Sequence, residues 1–227
     1  MKRIFTYLLV CVVVLSAISF GGCSKKTDGA ETALKYYFSA LKGFNINAMK
    51  QNVKGETTGD IGFVIEELSS DFRQSDNYKK RIEDMMKSLS STFEFSINSS
   101  EVMDENTVRF NITFKCADVN QTDLNAYMQE KVDKYLIKNP DVYEMDAYEY
   151  EETMIGVQAD AYSVFLEKQP RITKDFSVTI VNENEKWKVT TAGSSEFFTF
   201  LQGVYAGGNG EEEYVEVVEE AAEEVTE

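Results

Sequence analysis

Apolar side chains that recur at every second position in two stretches of this chain constrain its fold more than anything else in the sequence. Phe93, Phe95 and Ile97 alternate with Glu94, Ser96 and Asn98; past Asp104-Glu105-Asn106, Val108, Phe110, Ile112, Phe114 and Cys116 alternate with Arg109, Asn111, Thr113 and Lys115. Successive strand residues point to opposite faces, so the pattern predicts an antiparallel hairpin with one apolar and one wet face. Phe176, Val178 and Ile180, followed beyond Asn182-Glu183-Asn184-Glu185 by Trp187 and Val189, predict a second hairpin of the same kind. Two such hairpins need a cover for their apolar side, and the rest of the sequence is written in helical periods.

Asp28-Gly29-Ala30-Glu31 has the spacing of a capping box, and Ala30, Ala33, Leu34, Tyr37, Phe38, Leu41 and Phe44 recur at three and four steps. This predicts an amphipathic helix from Ala30 to about Gly43. Asn45 is placed to cap a short second helix carrying Ile46, Met49 and Val53, with a loop from Lys54 to Asp60. Helical spacing returns in Ile61–Phe72 and in Tyr78, Ile82, Met85, Met86 and Leu89. Between the hairpins two more helices are marked, by Leu124 to Leu136 and by Met145 to Leu166, the second stopping before Pro170. Phe197, Phe198, Leu201 and Val204 predict a short closing helix.

The amino-terminal 22 residues have a different grammar. Lys2 and Arg3 precede an apolar run from Ile4 that turns small at Ser19-Phe20-Gly21-Gly22, immediately before Cys23. This resembles the lipobox of a bacterial lipoprotein signal, with Phe20 where Leu is usual, and implies cleavage before Cys23 and acylation of its sulfur. Two acyl chains at about 0.8 kcal/mol per buried methylene hold a protein to a bilayer where one chain is marginal. An ordinary secretory signal and a membrane span are the alternatives; Ile4 to Phe20 is 17 residues, against the roughly 20 that a span needs. Cleavage removes Cys11, and with Cys23 acylated and Cys116 its only companion, no intrachain disulfide is left.

Charge divides the chain again. Without Lys2 and Arg3 the formal net charge of −16 becomes −18, and the nine Glu of residues 206–227, with no Lys or Arg among them, hold half of it. A Gly-Gly-Asn-Gly break at 207–210 sets this run apart. Dense like charge repels itself, so a disordered tail is expected, either solubilising or docking on a basic surface. Such acidity argues against nucleic acid as a partner. The expected organisation is a signal peptide at 1–22, a tether at 23–29, one domain at 30–205 and the acidic tail at 206–227. A domain of this size buries about 70% of its unfolded surface, enough for a core without disulfides.

The pattern Glu31 to Met49, with its long first helix and short second one, the Phe-rich hairpin, the segment Thr113 to Thr122 leading into a helix, and the closing Glu185 to Thr190 strand resemble the nuclear transport factor 2-like superfamily. They are most similar to small lipoproteins of unknown function on the surface of single-membrane, Clostridia-type bacteria. The resemblance implies an α+β fold in which a curved antiparallel sheet wraps the first helix into a cone with an internal cavity. The extra helices would lie between the two hairpins.

The fold hosts isomerases, cyclases, dehydratases and plain binding modules, so only side chains can choose among them. The chain has no His, which excludes His-dependent hydrolysis and His-based zinc or iron sites. Cys116 ends an inward-facing row and reads as a buried structural thiol. The strand positions assigned to the inner face are all apolar, so no strand carboxylate enters a cavity. Asp141, Glu144, Asp146, Glu149, Glu151 and Glu152 crowd a helix start, as a solvated face or as an acid pair or cation site. Asp118-Val-Asn120-Gln-Thr122 opens like a calcium loop but lacks the Gly and Glu that such a loop needs, and reads as a turn into a helix cap. Tyr37, Phe38, Tyr127, Tyr162 and Trp187 are candidates to line a cavity or to pack as core. Arg109, Lys115, Lys186 and Lys188 share the outward parity and form a candidate basic face for an anionic partner or the acidic tail, with surface ion pairing as the plain alternative.

The reading that results is a membrane-anchored extracytoplasmic lipoprotein, lipidated at Cys23, acting as a binding or interaction module. Its partners would be the membrane, an envelope protein or a small apolar ligand, with no cofactor and no metal. The alternative is a small hydrophobe-binding or cyclase/isomerase-like enzyme using helix-borne Tyr and carboxylates in the cone.

Overall fold

The computed structural model describes residues 24–55 and 75–207. The leader, Cys23, the helix predicted over Ile61–Phe72 and the Glu-rich run from 211 onward lie outside them. Among the described residues the chain is α+β, with six α-helices and an open five-stranded sheet of order β1-β5-β4-β3-β2.

Strands β2 (Glu94–Asp104) and β3 (Thr107–Ala117) form the first hairpin, with Phe95 opposite Phe114 and Ile97 opposite Ile112. Strands β4 (Arg171–Glu183) and β5 (Lys186–Thr190) form the second, joined by Asn184 and Glu185 at φ 52° and 65°. Two positive-φ residues give the turn a twist that matches the strands it joins. Pairing of β3 with β4 over eleven residues fuses the hairpins, Phe110 facing Val178 and Ile112 facing Phe176. A two-residue strand unforeseen in the sequence, β1 (Val53–Lys54), runs parallel to β5 at the far edge. Beyond the end of β5, the backbone N–H of Thr179 donates to Ser194 Oγ at 2.9 Å, and Thr179 Oγ1 donates to the Gly193 carbonyl at 2.9 Å. A Cβ on Gly193 would sit 2.7 Å from Thr179 Cβ, so glycine is what lets this loop close on the strand.

Helix α1 (Ser24–Lys42) lies on the apolar side of the sheet. It corrects the capping-box reading: Asp28 is inside the helix, its carbonyl accepting from Thr32 Oγ1 at 2.7 Å, and residues 24–29, expected as tether, are helical. Helix α2 (Ile46–Asn52) starts as predicted, Asn45 Oδ1 accepting from the Ala48 N–H at 3.0 Å. Helix α3 (Asp76–Ser91) is capped by Ser75, whose hydroxyl accepts from the Tyr78 N–H at 3.1 Å. Between the hairpins come α4 (Gln121–Lys138), a 3-10 turn (Pro140–Glu144) and α5 (Ala147–Lys168); α6 (Ser195–Tyr205) closes the described chain.

Aromatic rings fill the space between α1, the sheet and α6. Phe38 stacks on Phe95 at 4.1 Å and meets Phe197 and Phe114 edge-on or tilted at 5.5 and 6.0 Å. Phe197 in turn contacts Phe114 at 5.4 Å and Phe176 at 5.5 Å. Near the start of α1, Trp187 lies so close to Gly29 that a Cβ there would be 2.8 Å from Nε1. Cys116 is fully buried at the end of its row, as its parity predicted. Burial pushes its thiol up to about 12, with Asp118 adding to the rise.

Replacing Phe38 with Ala should remove about 3–5 kcal/mol of stability and lower Tm by roughly 10 °C, read by calorimetry. Cys116 should resist alkylation at pH 8.5 in the native chain and react fully in denaturant, as peptide mass spectrometry would show. Because its folded pKa is raised, it contributes stability that is complete below its ordinary value of 9.0 and is lost as pH rises toward 12.

Candidate functional site

The five aromatic residues considered as cavity lining all lie in or against one hydrophobic core, at different places in it. Tyr37 and Phe38 lie in the packed centre of the core, Tyr37 edge-on to Phe198 at 6.2 Å. Tyr127 is on α4, half-buried, 5.4 Å from the Phe165 ring and with Lys131 Nζ 4.6 Å above its own. Tyr162 is buried on α5, and that burial raises its phenol pKa. Trp187 is half-buried against the opening turns of α1.

Arg109, Lys115, Lys186 and Lys188 do share the outer face, since their register partners Thr179, Thr173, Glu183 and Val181 have one parity on β4. They do not form one patch. Lys115 is six residues along β3 from Arg109, about 20 Å at roughly 3.3 Å per residue. Arg109 pairs with Glu101 at 3.9 Å and Lys115 with Glu94 at 3.7 Å, while Lys186 and Lys188 make no ion pair among the described residues. Polar side chains bond one another across the rest of this face. Asn98 Nδ2 donates to Thr113 Oγ1, which donates on to Asp175; Ser177 Oγ donates to Asn111 Oδ1, whose amide donates to Ser99.

Of the six crowded carboxylates two accept hydrogen bonds, and all but the half-buried Glu152 are exposed. Asp146 caps α5, its Oδ1 accepting from the N–H groups of Tyr148 and Glu149 at 2.9 Å. Glu152 accepts from Asn77 Nδ2 at 3.1 Å, and hydrogen bonds from Ser75 and then Asn77 hold its carboxyl below the usual range. Asp141, Glu144, Glu149 and Glu151 are exposed. The segment after Asp118 serves as a cap, Asn120 Oδ1 accepting from the Asp123 N–H at 3.0 Å. Among the described residues no three acids, cysteines or histidines are grouped to hold a metal ion.

Two surface grooves carry the concentrated charge that sequence spacing did not reveal. One, of about 560 Å³, runs between α3 and α5, where Arg81 approaches the bare backbone of Gly156 and pairs with Asp160 at 3.8 Å. The other, of about 630 Å³, lies between the α1–α2 turn and α3, its described walls including Lys50, Lys79, Lys80 and Lys87 against Asp76 and Glu83. The four lysines come from positions 37 apart at the extremes, so no window of sequence displays them as a cluster. No helix among the described residues is long and apolar enough to cross a membrane.

No family model matches this chain, and no curated protein matches it. Among solved structures it is similar to the crystal structure of a candidate lipoprotein (ycdA) from Bacillus subtilis subsp. subtilis str. 168, at 15% identity and a TM-score of 0.49. The match covers 82% of this chain and 57% of that one, so this chain spans little more than half the length of that protein.

Proposed function

We propose that this chain is an extracytoplasmic lipoprotein, acylated at Cys23, whose α+β domain serves as a binding or protein-interaction module of the nuclear transport factor 2-like kind. The leader carries the anchor: Lys2 and Arg3, the apolar run, and Gly22 before Cys23 occur in the order that export and lipid transfer require. The interaction reading is supported by a filled interior. Rings from α1, the sheet and α6 occupy the space a cone cavity would use, while charge is concentrated in exterior grooves. A partner would be met on the outside of such a domain, and an envelope protein held at the same surface is the class of partner this favours.

Cys23→Ala expressed in a single-membrane bacterium tests the anchor. The variant should lose incorporation of labelled palmitate and move from the membrane fraction to the medium or the uncleaved pool. Retention of label and membrane partition equal to the parent would overturn the assignment.

A further inference from the structure

The lysine-lined groove lies where the chain leaves its last described helix. Tyr205, near the end of α6, packs its ring 5.9 Å from that of Phe44, and Phe44 is itself part of the groove wall. The Tyr205 hydroxyl shares a 2.6 Å hydrogen bond with Ser90 at the end of α3, the helix that supplies Lys79, Lys80 and Lys87. The described chain ends two residues later, at Gly207, where a Cβ would run into Gln121 Oε1. Twenty residues follow, and nine of them are Glu, beginning at Glu211. Four residues span at most about 14 Å and the whole run of twenty about 70 Å, so carboxylates of this run have the reach to meet the groove.

We propose that the groove is a binding site for carboxylate-rich polypeptide and that its occupant is the chain's own segment 211–227. The groove opposes four lysines to two acids in a protein whose net charge is −16; Lys87 pairs with Glu83 at 2.7 Å, while Lys50 and Lys80 make no ion pair among the described residues. Tethering raises the tail's effective concentration to the millimolar range, so several individually weak pairs suffice. The outer sheet face is the poorer choice. Arg109 and Lys115 already have acids, and Lys186 and Lys188 flank Trp187, which packs at Gly29. Gly29 is fourteen residues along α1 from Gly43 at the groove, about 20 Å at 1.5 Å per residue. This inference is independent of the lipid anchor.

Lysine acetylation by an N-hydroxysuccinimide ester, read per peptide by mass spectrometry on the full chain, tests it. Deleting residues 211–227 should raise the rates at Lys50 and Lys80 about three-fold in roughly 20 mM salt, with no difference near 0.5 M, where the Debye length is only a few ångströms. Lys186 and Lys188 should change little. A second variant, with Glu211, Glu212, Glu213 and Glu216 changed to Gln, keeps the chain length and should give the same rise, while Trp187 fluorescence reports an intact fold. Unchanged rates at Lys50 and Lys80, or a rise confined to Lys186 and Lys188, would overturn the proposal. So would shielding that grows with protein concentration, which would assign the groove to a second copy's tail.

Discussion

Everything in this domain rests on one contact, the insertion of the aromatic side of α1 between the sheet and α6. Cys116 is a free buried thiol, so the described chain is stapled by packing alone. Phe38, Phe95, Phe114, Phe176 and Phe197 form a continuous chain of ring contacts from α1 through β2, β3 and β4 to α6. Each buried ring contributes about 1.5–3 kcal/mol from area alone, and edge-to-face pairs add about 0.5–1.5. Filling that space with Phe packs the inner face of the sheet against α1 and α6.

The described grooves lie outside that core, and the outer surfaces are not equivalent. On the bare side of the sheet, Asn98, Thr113 and Asp175 satisfy one another, as do Ser99, Asn111 and Ser177, while Arg109 and Lys115 each face an acid. On this face the lysines without an ion pair among the described residues are Lys186 and Lys188, both on β5. The grooves that α3 makes with the α1–α2 turn and with α5 are different, because helices meeting at an angle leave gaps that long Lys and Arg side chains line without filling. One of those gaps is lined by four lysines against two acids.

Strand periodicity was legible because the sheet is wet on one side and apolar on the other, so Phe110, Ile112, Phe114 and Cys116 had only one face available. It failed where that asymmetry ended. A bulge between Ile97 and Ser99 puts Ser100 opposite Phe110, and from Asn98 to Asp104 the strand is exposed on both faces, leaving no apolar alternation to follow. β1 is two residues long, too short to show a period, and exists because α2 delivers Val53 to Val189. The helix start at Ser24 was misread because Asp28 and Glu31 have cap spacing whether or not the chain is already helical. Asn45, beside a true boundary, caps as its spacing predicts, and the turn read after Asp118 does lead into a cap, supplied by Asn120. The lysine groove was illegible for a simpler reason: Lys50 and Lys80 become neighbours only through the packing of α3 against the turn after α1.

α1 also reconciles a strongly acidic chain with the proposed attachment to a bilayer. Its first residue follows Cys23 directly, and its nineteen residues span about 28 Å at 1.5 Å per residue. Phe44, just past the other end, holds Tyr205, from which the Glu-rich segment departs. α1 thus sets the residue after Cys23 and the contact of Phe44 with Tyr205 at its two ends. At physiological ionic strength about 28 Å is roughly three Debye lengths, so surface charges at one end of this helix are screened from those at the other. The helix that carries the aromatic core therefore also separates the proposed anchor electrostatically from the groove around Gly43.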